Sequence, residues 1–465
     1  MSDVAADVKL GELTGRLVDK ILAVDVDDLD GEAVEVARRV VLDGLSVMLA
    51  GSTEPLGVGR LITAYVRENG GSPDSSVIAG GFKAPAVAAA FANGTMAHAL
   101  DFDNTGYPRN HPMSPTLPAI LALAEKYGFS GRRVVGAVIV AFEVQHRLRM
   151  ASIGLDTGKG FHKPGTTGTM GSAAACGWLL GLDREQLAMT LGIAGSRAGS
   201  LSINTGTMTK SSHSGHAARM GVECAELAQR GWTASTAVFD KGGFFDTFLG
   251  DRQEPQLLVE NFGAPFSMVD PGIGYKKYPC NFNTHRAIDV ALELREQHNI
   301  DPQKIERIDI EICPFDYINR PHPVSGLDGK FSLQYTTAIA LLDGAVTVDS
   351  FSDDRRFSPD VEALLPHITV TYDESISLDQ LELITRVAIT MDDGSEFAGE
   401  EQRMTGMIGV PISREESLAK YYSCATRVMG QAQADEALAL IDNITDLDTV
   451  TELMRLVREV DNGNS

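Results

Sequence analysis

Residues 84–100 read APAVAAAFANGTMAHAL, with apolar side chains at three- and four-residue spacing, the period of a helix buried in a core. Alanine and glycine fill most of the run, and side chains this small let a second helix axis come close. The same period returns at 37–51 (ARRVVLDGLSVMLAG), 114–128 (SPTLPAILALAEKYG) and 132–148 (RRVVGAVIVAFEVQHRL), and several of these runs stop at a glycine, the residue that suits a left-handed C-cap. Small residues recur in GSAAACGWLLG at 171–181 and GIAGSRAGS at 192–200. The first 270 residues are therefore expected to form one tightly packed helical domain.

The pattern changes after Pro271 and Gly272. IERIDIEIC (305–313), HITVTYD (367–373) and TRVAITMDDGSEF (385–397) alternate apolar and polar residues in strand fashion, the last with a DG turn. Between them THRAIDVALELREQH (284–298) and FSLQYTTAIALLDG (331–344) read as helices, so 271–402 is expected to be a smaller α+β domain. REESLAKYYSCATRVMG (414–430) and TVTELMRLVREV (449–460) return to helix, and 403–465 is expected to complete the first domain. The fold class is mostly α, and no internal repeat is visible.

Composition narrows the function. Of 465 residues 43% are hydrophobic and 22% charged, and 46 Gly and 19 Pro follow no collagen-like period, which argues for folded domains. Forty Lys and Arg against 63 Asp and Glu leave a formal charge of −23, which repels nucleic acid and anionic membranes. An anionic ligand must then meet a local cluster of positive groups. The five cysteines, Cys176, Cys224, Cys280, Cys313 and Cys424, form no CxxC pair and suit a reducing compartment. MSDVAADVKLGELTG at the N-terminus has no apolar stretch of the signal-peptide kind, and the longest apolar run, Val134 to Phe142, is about half the roughly 20 residues a membrane helix needs. A soluble, cytoplasmic protein is expected.

Five segments concentrate polar and ionisable residues inside apolar surroundings, where catalytic groups with shifted pKa values tend to lie. AHALDFDNTGYPRNHP (97–112) carries Asp101, Asp103, Thr105 and, ahead of a proline, His111; a loop of this kind can aim Asp and His at one point, or Asp101 can simply close the helix. GKGFHKPGTTGTMGSAAACGWLLGL (158–182) sets His162 and Lys163 at a helix start whose free N–H groups suit a carboxylate, unless Thr166 or Thr167 caps them. GTMTKSSHSGHAARMGVECAELAQRG (206–231) places Lys210, His213 and His216 at three-residue intervals. HSGH lacks the Glu of HExxH, so His216 reads as a core histidine and Lys210 as the charge facing a site. Lys276, Lys277 and His285 stand at the domain junction in GYKKYPCNFNTHRAIDVALELR (274–295), where clefts form, although a solvated lysine pair is the plainer reading. CPFDYINRPHPVSGLDGKFSLQY (313–335) adds Tyr317, Arg320 and Lys330; Arg320 suits either a carboxylate clamp or a rim.

Taken together, AHALDFDNT, the HP after it, GFHKPGTTGT, TKSSHSGHAAR, KKYPCNFNTH and GKFSLQYTTAIALLDG resemble the MmgE/PrpD family of metal-independent enzymes acting on tricarboxylates and related dicarboxylates. The resemblance implies a helical domain that dimerises, an α+β lid, and a site between the two that needs no cofactor. Carried over residue by residue, it implies a catalytic set of Asp101, His111, His162, Lys210 and His285, with Thr105, Lys276 and Tyr317 binding substrate. Asn104, Lys163 and Asn281 depart from the common pattern without removing any of these. The implied reactions are decarboxylation of cis-aconitate, dehydration of 2-methylcitrate and epimerisation of iminodisuccinate, all through a carbanion beside a carboxylate. YINRPHPVS (317–325) looks like the matching segment of cis-aconitate decarboxylases, which favours the first. A small-acid binding protein or inactive dimeric scaffold is the non-enzymatic alternative, and so many convergent ionisable groups argue against it because their desolvation costs stability.

Overall fold

The computed structural model describes residues 10–152, 160–249, 253–379 and 381–460. The N-terminal residues 1–9, and Gly158 and Lys159 of the histidine block, lie outside them.

The helix Ala86–Ala97 sits at the centre of the larger part and crosses the helix Met208–Gln229. Two glycines set the crossing: a Cβ on Gly94 would fall 2.9 Å from Gly215 Cα, and one on Gly215 would fall 2.4 Å from Phe91 O. Any larger residue at either position pushes the helices apart. The close crossing brings the chain just beyond the first helix, with His98 and Asp101, against Lys210 in the first turn of the second.

Helices Gly31–Ser52, Leu117–Tyr127, Gly131–Met150, Thr167–Leu179 and Arg184–Arg197 surround this pair. Val41, Met96, Ile120, Ile139 and Cys224 belong to one apolar core, which Tyr421, Ile441 and Leu453 of the C-terminal helices also join. A two-stranded ribbon, Ser75–Ser76 with Lys83–Ala84, interrupts the helical region; two-residue strands are too short to show a period, so the all-helical expectation missed it.

A second core packs helices His285–His298 and Leu333–Asp343 against a four-stranded sheet. Strand Ile305–Ile312 pairs in parallel with Ile368–Tyr372 and antiparallel with Thr385–Met391, which pairs in turn with Glu396–Glu401 across the DG turn, where Gly394 takes φ +83°. A register shift between Ile305 and Arg307 exposes both Glu306 and Arg307 and restores the alternation from Ile308 onward.

The two parts are stitched together beside the polar segments. Thr105 and Gly274 exchange backbone hydrogen bonds of 2.8 Å in both directions. Lys420, from the helix Arg414–Ala425, donates to the carbonyls of Phe102 and Lys276 at 3.0 Å each and pairs with Asp43 at 2.7 Å. Among the described residues no helix is long and apolar enough to cross a membrane, and all five cysteines are free and buried.

Candidate active site

Asp101 is the hub. Its backbone takes φ +49°, a left-handed conformation that costs a non-glycine residue energy and that concentrates at functional sites. One carboxylate oxygen pairs with Lys210, and the other accepts from Lys276 at 2.6 Å. Lys276 also donates to the Asp101 carbonyl and, at 3.2 Å, to Cys280 O. Burial alone raises a carboxyl pKa, but Lys210 and Lys276 outweigh it and hold Asp101 well below the usual carboxylate range. The solvated-pair reading therefore fails for Lys276, which is fully buried, and suits only Lys277, half-buried against Asp289 at 2.9 Å.

Asp103 anchors a second chain of contacts. Both its oxygens lie 3.0 Å from His98 Nδ1, and Oδ2 accepts from Ser114 at 2.6 Å. His111 brings Nδ1 to 3.2 Å from the same oxygen, close enough for an ion pair but not aligned as a hydrogen bond. His98 Nε2 lies 2.9 Å from Lys210 Nζ. Burial, reinforced by Lys210 and opposed by Asp103, pushes the His98 pKa down to about 4.

His162 precedes the short turn Lys163–Gly165 that leads into the helix Thr167–Leu179. Neither Thr166 nor Thr167 caps that helix; both hydroxyls turn back to the Lys163 carbonyl at 3.2 Å. His162 Nδ1 meets His213 Nδ1 at 3.0 Å, so one ring must donate and the other accept. Enclosure by the chain, with Lys210 and His98 close by, holds His162 well below the ordinary histidine value, and burial with Lys210 takes His213 to about 4. His216, expected as a core residue, is half-buried and reaches Arg197 O at 3.2 Å.

Other buried polar groups are unpaired. His285, 1% exposed and packed between the rings of Tyr278 and Phe282, has no aligned hydrogen-bond partner for either ring nitrogen among the described residues. Burial and Lys276 keep it well below its ordinary pKa, against the opposing pull of the Cys280 carbonyl. Thr105 Oγ1 and both amide atoms of Asn104 are buried and unpartnered as well. Tyr317 donates to Thr205 Oγ1 at 3.3 Å, and burial together with Asp101 pushes its pKa up to about 12. Arg320 is committed to Asp328 and stacks on Tyr317 and Phe331.

Asp101, Lys210 and Lys276 thus touch directly, His111 joins through Asp103, and His162, His285 and Tyr317 stand where those charges reach them; Thr105 contributes its backbone to the seam. The sequence patterns do not single out His98, Ser114 or Lys420, and they mark His213 only by its three-residue spacing from Lys210 and His216. His98 and Asp103 sit inside the quoted 97–112 segment, and a polar ring at the end of an apolar helix was the available signal. His98, Asp103 and His111 also form a grouping of ligand-type atoms within 4.8 Å of one another. Because His98 Nε2 faces an ammonium that can only donate, Nδ1 carries the ring hydrogen and points it at Asp103. A nitrogen in that state offers a cation no lone pair.

A mostly helical chain that buries lysines, aspartates and histidines where its helical core meets a small sheet core belongs to a recognisable class. The sequence profile of the MmgE/PrpD N-terminal domain matches residues 15–256, and that of the MmgE/PrpD C-terminal domain matches 278–446. The chain belongs to the MmgE/PrpD family. It is 31% identical over 465 aligned residues to cis-aconitate decarboxylase of Mus musculus, covering 97% of this chain and 94% of that protein. The Homo sapiens cis-aconitate decarboxylase is 30% identical over 97% of this chain and 95% of its own length. The 2-methylcitrate dehydratase of Escherichia coli (strain K12) is 28% identical over 377 residues, 73% of this chain and 74% of its own.

Proposed function

We propose that this protein is a lyase that decarboxylates cis-aconitate or a close tricarboxylate analogue through a carbanion next to a carboxylate. The observation that carries the reading is the buried Lys210–Asp101–Lys276 hub with His111, His162 and His285 around it, in a chain similar over nearly its full length to cis-aconitate decarboxylases. Asp101 and neighbouring Asp103 together offset Lys210 and Lys276, which leaves this cluster without surplus charge. A substrate with three carboxylates therefore enters a site where burial and lysines hold His162 and His285 low, and its negative charge reverses that pressure and draws protons onto those rings. Lys210 holds a remaining carboxylate, and Lys276, whose three hydrogens are committed to Asp101 and Cys280, adds its charge to stabilise what develops as the carbon–carbon bond to the departing carboxylate breaks. Carbon dioxide leaves, the electron pair stays on the substrate carbon, and His111 or His162 gives that carbon a proton. Thr105 and Tyr317 line the substrate, and Asp101 orients the lysines.

The sheet-containing part over 271–402 acts as a lid that closes on the helical part about the seam near Gly274, keeping water from the carbanion. The helical part forms the homodimer, and the free buried cysteines suit the cytoplasm. Dehydration of 2-methylcitrate is the second reading, favoured by the similarity to the dehydratase. Incubation with cis-aconitate and with 2-methylcitrate, product masses followed, separates the two: loss of carbon dioxide from the first supports the proposal, and loss of water from the second alone overturns it. Chelator treatment should leave turnover unchanged, whereas loss of activity restored by a divalent ion would contradict a metal-independent reaction.

A further inference from the structure

We infer that His98 is a positioning residue: a neutral ring that fixes the Lys210 ammonium in the site, its own tautomer set by Asp103. The inference rests on the proposed role of Lys210 in contacting substrate. An ammonium has three hydrogens and no acceptor. Asp101 takes one of the three, His98 Nε2 at 2.9 Å takes a second, and the third remains for a substrate carboxylate. Two acceptors on different sides hold the nitrogen more firmly than the Asp101 pair alone, since a lysine stem has four rotatable bonds.

The ring is braced from behind. Nδ1 points at Asp103, both of whose oxygens are 3.0 Å away, and Ser114 donates to Asp103 at 2.6 Å while lying 3.1 Å from Ser214. Ser214 rides on the same helix as Lys210, so the brace closes a loop back to the lysine. The titratable groups facing the His98 ring are Lys210, Asp103, His111 at 4.8 Å between ring centres and His162 at 5.5 Å. With the ring 1% exposed and held neutral near pH 7, Nε2 stays an acceptor across the physiological range. Asp103 also faces His111 at 3.2 Å, so His111 and, through His98, Lys210 are referenced to one carboxylate.

Two amide substitutions separate the two ring nitrogens. In His98→Gln the new side-chain oxygen reaches the Nε2 position and accepts from Lys210, whereas in His98→Asn the shorter amide reaches only the Nδ1 position, where its NH2 donates to Asp103 and nothing accepts from Lys210. With cis-aconitate as the probe and circular dichroism as the control for folding, His98→Asn should lower kcat about 10- to 100-fold, the scale set by misplacing a reacting group. His98→Gln should stay within several-fold of the parent. Combined with Lys210→Ala, His98→Asn should cost less than about twofold further, because the residue it acts through is gone. Equal losses in both amide variants, or the full loss repeated on the Lys210→Ala background, would overturn the inference. Nitrogen-15 spectra of the histidine rings of the unliganded protein read the tautomer without turnover: a protonated Nδ1 and bare Nε2 at His98 support it, and the reverse overturns it. If the tautomer is as stated but no tricarboxylate is turned over, the lyase reading fails and the positioning of Lys210 by His98 stands.

Discussion

Around Asp101 and Asp103 every carboxylate oxygen meets a lysine, a histidine or a serine, whereas in the same site both ring nitrogens of His285, the Thr105 hydroxyl and the Asn104 amide have no hydrogen-bond partner among the described residues. The paired region is preorganised, and removing one member strands its neighbours in a medium that penalises lone charges. The unpaired region has been desolvated without compensation, which costs stability until a ligand supplies the hydrogen bonds. On the proposed function, the first region holds the reacting groups in place and the second receives the substrate.

The sharpest way to break this contrast is Asp101→Asn. It leaves two buried lysines facing an amide, so it should abolish turnover and cost about 3–5 kcal/mol of stability, read by denaturant melts. Next come Lys210→Ala and His111→Ala, each expected to lower kcat/KM about 10²-fold or more with normal circular dichroism. Unchanged turnover in a well-folded variant would remove that residue from the mechanism. His285→Phe tests the other region: turnover should fall by about 10²-fold, yet stability should hold or rise by about 1 kcal/mol, because two unsatisfied buried nitrogens disappear. A large destabilisation there would mean that His285 is a structural member of the core.

The last test varies pH. Folded His98 and His213 take up protons near 4 while the unfolded rings do so near 6.5, so the unfolded chain binds more protons between those values. Stability should therefore fall as pH is lowered from 6.5 to 4, and His98→Gln should flatten part of that slope. The aspartates, held well below 3.8, keep their contribution through this window and lose it only at lower pH. A stability curve flat from 6.5 to 4 would contradict neutral buried rings.

Much of this was legible in the chain itself. Asp101, His111, His162, Lys210, Lys276 and His285 stand out as ionisable residues in apolar stretches, and the strands show in their alternation down to the DG turn at Gly394. His98 did not stand out, because its role depends on the Gly94–Gly215 crossing that delivers Lys210 to it from 112 residues away. His213 shows in the sequence only as one of three residues spaced by three with Lys210 and His216, since its partner His162 lies 51 residues earlier. Lys420 ties Phe102 to Lys276 from the far end of the chain, and nothing in its own segment marks it. Local pattern reveals which residues are unusual for their surroundings; contacts across the fold decide which of them meet.

In the proposed reaction these groups break a carbon–carbon bond and hand a proton to the carbanion left behind. Turnover of cis-aconitate in heavy water, with the product weighed by mass spectrometry, tests it most directly. The product should have one carboxylate fewer and one deuterium bound to carbon, and carbon dioxide should be released with it. A product that keeps all three carboxylates would contradict the proposed reaction.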